Sequence, residues 1–150
     1  MLLKKKKKPK YNSNSAIRSA IRRAFSRSPV VQEVLKAARS ESPKYNKDGS
    51  LSKKPHVWYT CAACNRKFKG TEVAADHIDP VIQIERGFVD WNTFVERLGW
   101  ERKENLQVIC AYKLKYMKDH GNVPSCHYTK TQEERAARKL QETLSDDSDV

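Results

Sequence analysis

Two cysteines two residues apart, Cys61-Ala-Ala-Cys64, with only Cys110 and Cys126 left to join them, constrain this chain more than any other feature. The two-residue spacing lets both thiolates of a tight turn reach one zinc ion, and a tetrahedral structural site then needs a second pair. Cys110 and Cys126 are separated by fifteen residues instead of two. Loop-closure entropy grows only logarithmically, so the longer loop costs about 2 kcal/mol. A structural zinc contributes about 10–16 kcal/mol, so the metal wins if the loop can return. Four-cysteine zinc is the leading expectation. A site with His120 in place of one cysteine and a set of metal-free thiols are the alternatives.

Charge comes next. Residues 1–60 hold 16 Lys/Arg against 3 Asp/Glu, residues 61–127 hold 10 against 9, and residues 128–150 hold 4 against 6. An excess confined to the N-terminal part suits an arm that tracks a polyanion, with a solvated tail as the plainer reading. No stretch approaches the roughly 20 apolar residues of a membrane span. Met1-Leu2-Leu3 and the block Lys4 to Lys8 lack the apolar segment of a secretory signal. These features point to a chain that stays in the cytoplasm, where thiols are kept reduced and bind metal more readily than they form disulfides.

Local patterns divide the chain into a Lys-rich arm (1–14), a basic helical extension (15–40), a linker (41–55), a metal-bearing domain (56–144) and an acidic tail (145–150). Ile17, Ile21 and Phe25 recur at helical spacing, with Arg18, Arg22 and Arg23 on other faces as candidate phosphate contacts. Ser28 caps a second helix that Pro29 begins and Val31, Val34, Leu35 and Ala38 stripe. Strands are expected at Val57–Tyr59, Val73–Ile78 and Leu106–Ile109. Asp90 caps a helix closed by Gly99, and Thr131 with Glu134 reads as a capping box for a last helix. Trp91 reads as core; Trp58 and Trp100 could be core or base-stacking platforms.

The chemistry-bearing residues are Asp76-His77, Asn105 and Cys126-His127. A neutral histidine is suited to take a proton from water. An aspartate and a second histidine can hold one divalent ion and leave positions open. Adjacent strand residues point opposite ways, so a bend at His77 is expected if both serve one site.

The order Cys-x-x-Cys, Asp-His-Ile, Asn-Leu-Gln-Val-Ile-Cys, Cys-His-x-x-Lys-Thr resembles the HNH endonucleases. Within that family the small free-standing proteins of bacteriophages, many of them homing endonucleases, are most similar. The resemblance covers about residues 56–135, and more weakly 15–40. It implies an α+β chain with a zinc-bearing ββα-metal (HNH, or His-Me finger) domain behind a basic helical extension. It implies that His77 is the general base, that Asp76 and His127 ligate a catalytic Mg2+ or Mn2+, and that Asn105 holds the His77 loop. Lys130 falls where the family's motif usually carries a lysine after the last histidine, which makes it a candidate phosphate contact. The implied activity is cleavage of double-stranded DNA by a monomer or homodimer in the host cytoplasm. Two alternatives stand beside it, a zinc-stabilised binding module without cleavage and a packaging-associated phage nuclease.

One departure matters. Family members commonly have two residues between the third and fourth cysteines, whereas Ala111 to Ser125 intervene here. Segment 111–123, with Lys113, Lys115, Lys118, Tyr112 and Tyr116, reads as a DNA-contacting finger, a neutral loop, or a disruption of the site.

Overall fold

A computed structural model describes residues 11–99 and 102–146 as a mixed α and β chain with two small sheets. The arm before Tyr11, Trp100 and the last four residues of the acidic tail lie outside the described residues. Helix α1 (Ser13–Phe25) starts where Asn12 accepts a hydrogen bond from the Ser15 amide. Helix α2 (Pro29–Ala38) has Ser28 as its cap and Pro29 in its first turn, as the Ser-Pro step predicts. The apolar stripes of both helices face inward. Phe25 and Val31 are buried, Ile21, Val34 and Leu35 pack beside them, and Ile17 at the far end stays exposed.

Strand β1 (Arg39–Ser42) follows directly and pairs antiparallel with β2 (His56–Thr60), from Arg39↔Tyr59 to Ser42↔His56. The stretch that reads as a linker is therefore a β-hairpin, extended by a Tyr45↔Leu51 bridge and closed by an Asp48-Gly49 turn in which Gly49 has φ +83°. Arg, Ser and Glu conceal the strand because it is polar throughout and no apolar alternation marks it. Trp58 donates its indole N–H to the Ser42 hydroxyl at 2.9 Å, so it staples this hairpin. Strand β3 (Lys67–Phe68) completes the first sheet.

The second sheet is a plain antiparallel pair, β4 (Val73–His77) with β5 (Leu106–Cys110), in register from Val73↔Cys110 to His77↔Leu106. Helix α3 (Trp91–Leu98) fills the connection, capped by Asp90 and stopped by Gly99 in a left-handed conformation (φ +69°) that glycine adopts without strain. Helix α4 (Cys126–Asp146) follows β5.

The last helix begins five residues before the expected capping box. Ser125 is the cap: it is buried, and its hydroxyl accepts from the Tyr128 amide. Thr131 lies inside the helix, its hydroxyl bonded back to the His127 carbonyl. A buried serine beside the clustered cysteines outweighs a less buried threonine as the start point.

Two cores flank the β4–β5 pair. Phe25, Val31, Val81, Phe94, Leu98 and Leu106 form one; Trp91 packs against it, as its helical stripe predicts. Cys61, Phe68, Ile109, Cys110 and Tyr112 form the other. The inserted segment belongs to this second core, which corrects the neutral-loop reading. Tyr112 packs on Phe68, its hydroxyl donates to the Val123 carbonyl at 2.8 Å, and the His120 ring stacks on it at 4.0 Å. His120 also meets Glu72 Oε1 at 3.0 Å, while Lys113, Lys115 and Lys118 face solvent. Nor does the segment disrupt the cysteine quartet, because its 3-10 turn (Leu114–His120) folds the chain back to Cys126.

Deleting Ala111 to Val123 is therefore expected to strip the cover from Phe68 and lower stability by about 3–5 kcal/mol, the usual loss on emptying an aromatic core position. Urea unfolding of the deleted and full proteins checks this. Equal midpoints would return the segment to the status of a spare loop.

Candidate metal centre and catalytic cleft

The cysteine quartet is assembled by three separate pieces of chain. Cys61 follows β2, Cys64 lies in the turn after it, Cys110 ends β5 and Cys126 opens α4. The turn is tight because the Asn65 amide donates to the Cys61 carbonyl at 2.9 Å and the Cys61 amide to the Arg66 carbonyl at 2.9 Å. Asn65 closes it at φ +57°, a left-handed conformation that asparagine tolerates better than most residues.

All four sulfurs lie within 4.8 Å of one another. A tetrahedral zinc with Zn–S bonds of about 2.3 Å would set them about 3.8 Å apart, a modest contraction. The backbone amides of Cys110 and Cys126 point at the sulfurs of Cys61 and Cys110 at 3.3 and 3.2 Å, as they do toward thiolates. Burial and the neighbouring Cys61 and Cys64 sulfurs push the Cys110 thiol up to about 11. A cation at the centre removes that penalty. None of the four is in a disulfide. His120, the alternative ligand, is engaged with Glu72 instead.

The second site is a cleft of about 440 Å³ between α1, α2, β4 and the head of α4, whose lining includes Asp76, His77, His127 and Arg22. His77 sits at the end of β4 with Nε2 at 2.7 Å from the Leu98 carbonyl oxygen. A carbonyl only accepts, so Nε2 carries the hydrogen and Nδ1 keeps its lone pair. The ring is held against Phe25 at 5.5 Å between centroids. Burial, with the positive charges of Arg22 and Lys130, holds the His77 pKa below the ordinary imidazole value against the pull of the Leu98 hydrogen bond and Asp76. A neutral imidazole with a free lone pair is the form a proton acceptor requires.

The expected bend at His77 is absent. The ladder runs straight through His77↔Leu106, and the chain bends just after it, at Ile78-Asp79. Asp76 and His77 still share the cleft, which wraps around the end of the strand.

Asn105 fastens the bend. Its Oδ1 accepts from the Asp79 amide at 2.7 Å, its Nδ2 donates to the Asp79 carbonyl at 3.0 Å, and its own carbonyl accepts from Ile78 at 2.8 Å. Arg97, which nothing in the sequence singles out, adds bonds to the Asp79 carboxylate and the Pro80 and Val81 carbonyls. The residues after His77 are thus pinned from two sides.

Asp76 accepts from Lys130 Nζ at 2.5 Å, and Gln107 Nε2 lies 3.5 Å from the same oxygen. Lys130 also donates to the His77 carbonyl and lies 3.6 Å from Glu134. Its ammonium is turned toward Asp76, with which it forms an ion pair. His127 stands exposed at the rim, in the first turn of α4. The three α1 arginines divide. Arg18 lies over Phe88 and Arg22 over Phe94; Arg22 and Arg23 are both exposed, but only Arg22 lines this cleft and the smaller hollow beside it.

Gln107 and Glu134 complete the surroundings of Asp76 and Lys130. Gln107 carries no signal in the sequence, because its role depends on cross-strand pairing, and Glu134, expected in a capping box, sits one turn beyond Lys130 inside α4.

The chain matches no family model, no curated protein and no solved structure. Among the described residues no helix is long and apolar enough to cross a membrane.

Proposed function

We propose that this chain is a metal-dependent DNA endonuclease of the HNH type, with the cysteine quartet as its structural zinc site. The observation that carries the reading is the state of His77. Its tautomer is set by the Leu98 carbonyl, the bend after it is pinned by Asn105, and it shares a cleft with Asp76 and His127. The order β4, β5, α4 is that of a ββα-metal unit, and the α1 arginines add positive charge beside the cleft.

His77 Nδ1 takes the proton of a water molecule while the water oxygen bonds to phosphorus. The P–O3′ bond then breaks, and the departing 3′ oxygen takes a proton from solvent, leaving a 5′-phosphate and a 3′-hydroxyl. Asp76 and His127 would hold a Mg2+ or Mn2+ ion; a carboxylate and an imidazole suit such an ion, and it supplies positive charge to the phosphate and the leaving oxygen. Lys130 would yield Asp76 to that ion. Asn105 keeps the imidazole from swinging away from its water, a matter of position that is worth orders of magnitude in rate.

Incubating the full chain with supercoiled plasmid, with and without Mg2+ or Mn2+, tests the reading. Metal-dependent nicking is expected, and Asp76→Ala should abolish it while leaving the melting temperature within a few degrees. DNA binding with no cutting under any divalent ion would leave the binding-module alternative standing instead.

A further inference from the structure

The N-terminal helix enters the cleft. Phe25 contacts His77 with its ring, and Arg22, three residues earlier, lies on the same face of α1. That register places the Arg22 side chain beside His77, and it lines both the 440 Å³ cleft and the adjoining hollow of about 90 Å³. Around the smaller hollow stand three cations, Arg22, Lys130 and Arg138, against two carboxylates, Asp76 and Glu134.

The cations are not equivalent. Lys130 is spent on Asp76 and Glu134. Arg138 is anchored by the Ile82 and Gln83 carbonyls at 2.6 and 3.4 Å. The Arg22 guanidinium rests on the Phe94 ring at 5.6 Å and has no hydrogen bond or ion pair among the described residues. Partial desolvation and the like charges of Arg18 and Arg138 hold its pKa below the ordinary value, with Glu134 opposing. A cation so placed, with its forked donors uncommitted, is ready for a planar or tetrahedral oxyanion.

We propose that Arg22 is a phosphate-binding group of the His77 cleft, receiving the non-bridging oxygens of the phosphodiester under attack. On this view the helical extension is part of the reacting centre and not only a source of affinity. The proposal deepens the nuclease reading and rests on it for the identity of the phosphate.

Two measurements on the full chain separate the proposal from that reading. The first is single-turnover plasmid nicking. Arg22→Ala is expected to nick about 100-fold more slowly than the wild type, as on loss of one transition-state donor. Its duplex affinity should fall by no more than about threefold, since many other phosphate contacts remain. Arg22→Lys should fall between, and free guanidinium should restore part of the Arg22→Ala rate but none of the rate of His77→Ala. Arg23→Ala should lose affinity alone. Nicking by Arg22→Ala at the wild-type rate, or an equal loss in Arg23→Ala, would overturn the proposal while leaving the nuclease reading intact.

The second measurement is a titration with inorganic phosphate, without divalent metal, followed by the imidazole resonances of His77. A shift in the wild type that is lost in Arg22→Ala supports the proposal even if the wild type never nicks DNA. No shift in the wild type overturns it. Thermal melts verify the fold, and Arg22→Lys and Arg22→Gln carry the test if the alanine variant fails to fold.

Discussion

Alanine at position 77 is expected to lower single-turnover nicking by about 10²- to 10⁴-fold, the usual yield of a positioned general base. The cost to the fold should be small. The variant loses one hydrogen bond to the Leu98 carbonyl and one ring contact with Phe25, together about 1–2 kcal/mol. DNA affinity should hardly change, since the imidazole is neutral. Unaltered nicking would remove His77 from the reaction.

The wild-type pH profile gives a second view of the same group. The His77 pKa is lowered, chiefly by burial, so the neutral base persists to more acidic pH than a free imidazole would allow. The acid limb of the rate should therefore lie below about 6.5, the unperturbed value, and the rate attributable to this group should be level from there through neutral pH. Stability follows the same sign. The folded state binds this proton less readily than the unfolded chain, so the contribution of His77 is complete above the unfolded pKa. It declines as the pH falls toward the folded value.

Breaking the cysteine quartet should have the largest effect on the fold. Cys110→Ser, or removal of metal by a strong chelator, is expected to abolish cooperative unfolding and most tertiary structure. A structural zinc is worth about 10–16 kcal/mol, against a total stability of about 5–15 kcal/mol for a domain of ordinary size. Cys110 is wholly buried and shares its core with Phe68, Ile109 and Tyr112, so an uncompensated thiol or hydroxyl there has no solvent to turn to. Elemental analysis of purified protein should give one zinc per chain, and circular dichroism should report the collapse on chelation. Folded, cooperative protein without zinc would refute the centre. Zinc kept by Cys126→Ala would point to His120 as a replacement ligand.

Much of this arrangement is legible in the sequence. Ser28-Pro29 and the pair Asp90 and Gly99 fix helix ends because capping depends on one side chain or one backbone conformation. The cysteine quartet was legible for a similar reason, since two-residue spacing is a local geometric demand. The hairpin over residues 39–60 was not, because its first strand is polar on both faces and gains its order from pairing with β2. The fate of the inserted segment was hidden as well. Tyr112 and His120 are ordinary residues in sequence, and only folding stacks the His120 ring, held by Glu72, on the buried Tyr112. In the cleft, the residue types that suit the chemistry could be named from their order. The inward turn of Lys130, the clamp of Arg97 and the approach of Arg22 depend on distant segments meeting.

The adjacency of Cys126 and His127 sets the rotational phase of α4. Consecutive α-carbons are about 3.8 Å apart, so the sulfur that would bind the proposed zinc and the imidazole at the cleft rim belong to one rigid step of chain. Each helical residue turns the axis by about 100°, and His127, Lys130, Glu134 and Arg138 recur on a single stripe of that helix. A bond from Cys126 to the proposed zinc would work as a keyway on a shaft: it would forbid rotation, and so decide which four side chains look toward Asp76 and Arg22. Sequence drift along the outer faces of α4 leaves this alignment untouched, whereas a one-residue slip after Cys126 would turn the whole stripe aside with every side chain still present.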